Sequence, residues 1–155
     1  MTWNDPRTWS ADAITDAVLN AEIRDNVLAL KAPPTDYTHY AFSASSYETT
    51  TSTSFVQIDA TLALSLTTGG GDVLLSFNAY ASNCYLDFVV NGSRIGGLDG
   101  IAAVPTTPPN STSMTWLVQD LPAGVHSFDV YWKVASGTGS LMTYVPPSFV
   151  AREIS

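Results

Sequence analysis

The chain has 155 residues and a formal net charge of −8, and only 13% of it is charged, about half the ~25% usual in globular domains. That length suits one domain with an appendage. With only 6 Lys and Arg residues it lacks the basic footprint that nucleic acid or an anionic membrane surface requires, which argues against both as partners. No stretch reaches the ~20 apolar residues of a membrane span, and the start has neither a charged n-region nor an apolar h-region, so neither membrane insertion nor a secretory signal is expected.

Residues 1–11 carry Trp3 and Trp9 on either side of Asp5-Pro6. The segment is too short to own a core, and exposed tryptophan is costly in water. Either the two rings fold back on the rest of the chain, or they dock it to a partner protein. Ser10 or Asp12 is a good N-cap, and a helix is predicted from about Asp12 to about Lys31. Leu19, Ile23, Asn26 and Leu30 follow a 4-3-4 seam, which Val18 and Val27 widen. Asn26 on that seam can fix register and oligomer state. A lone helix this short needs a partner surface. Pro33-Pro34 points it away as a stiff spacer. Self-association into a short stalk is therefore expected, the alternative being a helix packed on its own head with Asn26 at the stripe's edge.

Beyond the prolines the period becomes two. Strands are predicted near 37–44, 54–59, 61–67, 72–79, 84–90, 113–119, 125–134, 139–145 and 148–154. Turn chemistry separates them at Gly69-Gly70-Gly71-Asp72, Asn91-Gly92, Pro122-Ala123-Gly124 and Gly137-Thr138-Gly139. Asn91-Gly92 between apolar runs is the strongest hairpin signal, and the glycine triplet also reads as a hairpin turn. Two loops are expected: Ser43–Ser54, holding Tyr47 and Glu48, and Gly96–Ser113, holding Asp99 and Asn110. Short strands at this spacing predict a mainly β fold, a jelly-roll β-sandwich over 36–155, preceded by one short N-terminal helix. Residues 1–11 are a docking segment and 12–35 a stalk with its Pro-Pro linker.

Groupings that carry chemistry are scarce. His39 and His126 are the only histidines, which excludes a three-histidine zinc site. His126 leads an apolar face with Phe128, Val130 and Trp132 and reads as a packed residue. Cys84 reads as a small core residue among Tyr85, Leu86 and Phe88. The chain has no Gly-x-Ser-x-Gly elbow and no phosphate loop. A glycosidase needs paired carboxylates. Glu48 and Glu153 are the only glutamates past the prolines, and no spacing singles out Asp87, Asp99 or Asp129. A calcium site at Asp99-Gly100 is conceivable but is not adopted, so no catalytic residue, metal or cofactor is assigned. Arg94 and Arg152-Glu153 read as surface or subunit-contact ion pairs, and Asn110-Ser111-Thr112 is a glycosylation sequon that is discounted without a secretory signal. Trp116 reads as inward. Tyr47, beside hydroxyls and Glu48, is expected to be exposed and compatible with sugar stacking. Tyr47, Glu48, Asp99 and Asn110 are the candidate surface-contact residues.

Thr2-Trp3-Asn4-Asp5-Pro6-Arg7-Thr8-Trp9, then Ala17-Val18-Leu19-Asn20 and Arg24-Asp25-Asn26-Val27-Leu28-Ala29-Leu30-Lys31, resemble the N-terminal stretch of phage and prophage virion proteins that lead into a β-rich domain. Leu121-Pro122-Ala123-Gly124-Val125-His126-Ser127-Phe128 and the Phe149-Val150-Ala151-Arg152-Glu153-Ile154 ending resemble strands of phage-borne jelly-roll heads, similar in plan to tumour-necrosis-factor-like trimers. The resemblance implies a homotrimeric protein of the virion surface, made in the host cytoplasm and released at lysis, and supplies no catalytic residue. The expected function is a non-enzymatic tail-fibre or tail-spike-like head for host-surface adhesion. Residues 1–11 would dock to other virion proteins, and the head's loops would meet a host glycan or protein. The alternatives are a trimeric capsid decoration protein and, from another class, a virion-borne lectin or carbohydrate-active enzyme.

Overall fold

A computed structural model describes residues 33–39 and 47–154, together with Ile23, Arg24 and Val27. Most of the expected helix lies outside the described residues. So do Trp3, Trp9, Leu19, Asn26 and Leu30, and the first strand's expected continuation through Tyr40 and Phe42. Ile23 and Val27 are 55% and 54% exposed.

From residue 33 on, the described chain is a mainly β, antiparallel sandwich. Its strands are β1 (Thr35–His39), β2 (Tyr47–Thr50), β3 (Val56–Gln57), β4 (Ala63–Thr68), β5 (Gly71–Ser82), β6 (Cys84–Val90), β7 (Ser93–Arg94), β8 (Ala102–Val104), β9 (Asn110–Leu121), β10 (Gly124–Lys133), β11 (Gly139–Met142) and β12 (Ser148–Glu153). The first sheet runs β1-β12-β5-β11-β2, with β9 on the other side of β5. The second runs β3-β10-β6-β7, with β4 also on β10 and β8 also on β6. The pairings are nested. β1 lies with β12, β4 with β10, β5 with β9 and β6 with β8, as if one long hairpin had been rolled up.

Strict alternation puts Val73, Leu75, Phe77, Ala79 and Ala81 of β5 inward, and Phe128, Val130 and Trp132 of β10 inward to meet them. Phe88 of the second sheet stacks on Phe149 of the first, ring centroids 5.5 Å apart, and Phe77 meets Phe149 edge-on at 6.4 Å. All three rings are fully buried, so truncating any one to alanine costs about 3–5 kcal/mol. Cys84 lies in the same core, as its apolar neighbours suggest, and burial pushes its thiol pKa up to about 12.

Several sequence expectations are corrected. The Ser43–Ser54 tract is not all loop, because Tyr47–Thr50 forms β2 against β11. An edge strand needs one paired side and little apolar alternation, which hid it among Ser and Thr. The Gly96–Ser113 loop is likewise interrupted by β8, and β9 already begins at Asn110. Only Val56–Gln57 of the predicted strand 54–59 is extended pairing. A 3-10 helix at Ala60–Leu62 follows, capped by Asp59, whose carboxylate accepts from the Thr61 N–H at 2.7 Å. That bond, with a second from the Thr61 hydroxyl, holds the Asp59 pKa below its ordinary value. Gly69-Gly70-Gly71 is not a hairpin turn, since β4 and β5 belong to different sheets. It is a crossover, and Gly70, at φ +101°, passes so close to Ala123 that a Cβ would lie 3.2 Å from its nitrogen. Asn91-Gly92 is a two-residue hairpin turn, with φ of 49° and 79° between Val90 and its partner Ser93.

Candidate functional site

The outward side of the first sheet gathers its polar and aromatic groups at one end. On β5 the residues between the inward Phe77, Ala79 and Ala81 are Asn78 and Tyr80, which therefore face out. Cross-strand pairing sets Ser113 beside Asn78 and Ser111 beside Tyr80. Across β11, pairing sets Tyr47 opposite Met142. After β11 the chain turns through Thr143–Pro147, where Pro146-Pro147 cannot donate to a ladder and stops the strand. Thr143 and Pro147 are buried, while Tyr144, Val145 and Pro146 stand exposed.

The three tyrosines form a row. Tyr144 lies 6.1 Å from Tyr47 and 6.0 Å from Tyr80, centroid to centroid, with interplanar angles of 89° and 60°. Edge-to-face contacts of this kind are favourable, and none of the three rings is stacked flat on another. Tyr47 is 53% exposed and Tyr144 37%. Desolvation within the cluster, then the neighbouring phenols of Tyr80 and Tyr47, raises the Tyr144 pKa above its ordinary value. Next to Tyr80 lies an open groove of about 230 Å³, lined by Asn78, Ala79, Ser111, Thr112, Ser113, Val145 and Pro146. Every lining residue is uncharged. The groove combines hydroxyl and amide hydrogen-bonding groups with an apolar wall.

Two of the candidate residues read from the sequence reach this end of the molecule, and two do not join the row. Tyr47 is part of it, although it stands on a strand and not in a loop. Asn110 is the first residue of β9, next to Ser111, and its side-chain N–H donates to the Pro108 carbonyl at 2.7 Å. Glu48 lies on the opposite face of β2 from Tyr47, paired with the buried Leu141. Asp99 lies in the loop between β7 and β8, over the second sheet, where Lys133 donates to it at 2.9 Å. Tyr80 and Tyr144 were missed. Tyr80 was legible as the outward position of an alternating strand, whereas Tyr144 is placed by a turn that local periodicity does not encode.

Elsewhere the chemically capable groups are tied into the fold. His126 is 6% exposed. Its Nδ1 lies 2.9 Å from Asn91 Nδ2 and its Nε2 lies 2.8 Å from the Pro122 carbonyl. The carbonyl can only accept, so Nε2 carries the proton and Nδ1 accepts from the amide. Asp87 is fully buried and accepts from Arg94 Nε at 2.7 Å and from the Gly96 N–H at 2.8 Å. The Arg94 guanidinium covers the Phe55 ring at 3.7 Å. Gly96 cannot carry a side chain, because a Cβ would meet Asp87 Oδ1 at 2.5 Å. Arg94 is thus more than the surface pair expected of it. Glu153, also read as a surface pair, is 6% exposed, and both its carboxylate oxygens accept from the Gly69 N–H, at 2.9 and 3.1 Å. Trp116 does share the inward face with Leu75, yet it remains 41% exposed because β9 is the sheet's edge.

No protein-family model matches this chain, and no curated protein matches it. Among the described residues there is no group of three or more His, Cys, Asp or Glu placed to hold a metal ion. No helix among them is long and apolar enough to cross a membrane.

Proposed function

We propose that this chain is a non-enzymatic phage virion surface protein, a trimeric jelly-roll head on a short helical stalk that adheres to the host surface. The observation that carries the adhesion reading is the row of exposed Tyr47 and Tyr144 with half-buried Tyr80, beside an uncharged groove. Aromatic rings on a rigid sheet give contact area at little cost in ordering, as recognition surfaces require.

The nested strand pairing supports the jelly-roll part of the reading. The stalk is supported by Ile23 and Val27 upstream of β1, which a single chain leaves more than half exposed. The bonds that hold Asp87, Glu153 and His126 within the fold support a non-enzymatic role.

Gold-labelled antibody against the head, applied to purified phage particles, tests the proposal. Label at the tail is the expected result. Label over the capsid shell favours the decoration role, and particles without label overturn the virion assignment.

A further inference from the structure

We propose that the groove beside Tyr80 and Tyr144 takes the terminal ring of an uncharged saccharide, an inference that rests on the adhesion reading and names its ligand. A sugar ring has an apolar C–H face and a rim of hydroxyls, and the groove offers a match to each. Ala79, Val145 and Pro146 supply apolar surface, and the Tyr80–Tyr144 ring pair adjoins them through Ala79 and Val145, their chain neighbours. Asn78, Ser111 and Ser113, which share the outward face, supply amide and hydroxyl groups that both donate and accept.

The size of the groove narrows the choice. At about 230 Å³ and open to solvent, it falls below the ~300 Å³ at which drug-sized pockets begin, so an end group fits better than a long chain. Charge narrows it further. No lining residue is cationic and the chain carries −8 overall, so nothing in the groove compensates a carboxylate or phosphate.

The rival occupant is a second copy of the chain lying across the same sheet face. Protein interfaces are depleted in Ser and concentrate apolar side chains at their centre. Here Ser111 and Ser113 face out beside Asn78, and Val145 is the one large aliphatic side chain in the lining. That arrangement favours the sugar. The β5–β9 ladder holds the polar groups in place before any ligand arrives, so little ordering is lost on binding.

Saturation-transfer NMR and titration calorimetry on the full chain test the proposal. The probes are the methyl glycosides of glucose, galactose, rhamnose and N-acetylglucosamine, with glucuronic acid as the charged arm. At least one neutral glycoside is expected to bind saturably in the millimolar range, and the Tyr80→Ala/Tyr144→Ala variant to bind it about tenfold or more weakly. Leu98→Ser, on the other sheet's loop, is expected to leave binding unchanged. Sedimentation equilibrium of the tyrosine variant is expected to give the parent's mass. The proposal is overturned if no neutral glycoside binds, if glucuronic acid binds as well as the best of them, or if the tyrosine variant falls to a smaller oligomer. That last result would assign the face to contact between copies. Failure here with antibody label still present on the virion would leave the adhesion head standing and remove only its sugar ligand.

Discussion

The two outward faces of the sandwich use their side chains in opposite ways. On the second sheet, the charged groups bind the protein's own backbone. Asp87 and Arg94 clamp the loop at Gly96 and Gly97, and Lys133 donates to the Leu98 carbonyl and to Asp99. Gln57 donates to Asp129, whose pKa burial nevertheless raises. On the first sheet, the tyrosine row and the groove carry no charge and point to solvent. One face therefore spends its charges on holding a loop, and the other leaves uncharged groups open to solvent. An ion pair that is half buried and bonded to backbone on both sides cannot be redirected to a ligand without unfolding its loop.

That contrast predicts a graded series of effects on the stability of the head. Asp87→Ala leaves the part-buried Gly96 N–H without its acceptor and takes the carboxylate from Arg94, and is expected to cost about 2–3 kcal/mol in urea unfolding. A loss below ~1 kcal/mol would mean that the loop is held by other bonds. Next comes pH. The Cys84 pKa is near 12 in the fold against 9.0 as its ordinary value, so the native state keeps the proton longer than the unfolded chain does. Its contribution is fully present below pH 9 and is lost as pH rises towards 12. Between pH 9 and 10.5 stability is expected to fall by roughly 2 kcal/mol more in the parent than in Cys84→Ala. Equal slopes for the two proteins would refute a buried thiol.

Smaller effects belong to the exposed face. Tyr144→Ala removes a half-exposed ring and is expected to change stability by no more than about 1 kcal/mol. A larger cost would show the tyrosine row to be structural and would erase the difference between the faces. Smallest of all is the effect of Ile23→Asp with Leu30→Asp, which is expected to leave the circular dichroism and melting temperature of the β part unchanged while loosening the proposed trimer in sedimentation equilibrium. Loss of the β signal would place the helix in the head's core.

How much of this was legible in the sequence depended on whether a position's neighbours were local. Alternation in Val73 to Ala81 and in Val125 to Trp132 located the long strands and their inward residues. Asn91-Gly92 located its hairpin because the turn's left-handed backbone has a strong residue preference. Tyr47–Thr50 was missed because its partner β11 lies about 90 residues on, and a polar edge strand has no pattern of its own. Gly69–Gly71 was misread because a glycine turn looks the same whether it joins paired strands or two sheets. Tyr47 was found for its exposure, whereas its companions Tyr80 and Tyr144 join it only through pairing and a turn. Asp99 was a reasonable surface candidate, and what the sequence could not reveal was Lys133 already bonded to it.

The most direct test compares the two faces for binding to intact host cells. Fluorescently labelled chain would be incubated with bacteria susceptible to the proposed phage and washed. The comparison is between Tyr47→Ala/Tyr80→Ala/Tyr144→Ala on the first sheet and Leu98→Ser/Asp99→Asn on the second. Loss of cell binding in the tyrosine variant, with binding kept in the loop variant, is the predicted result. Binding kept by the tyrosine variant and lost by the loop variant would contradict the account and move adhesion to the loop over the second sheet.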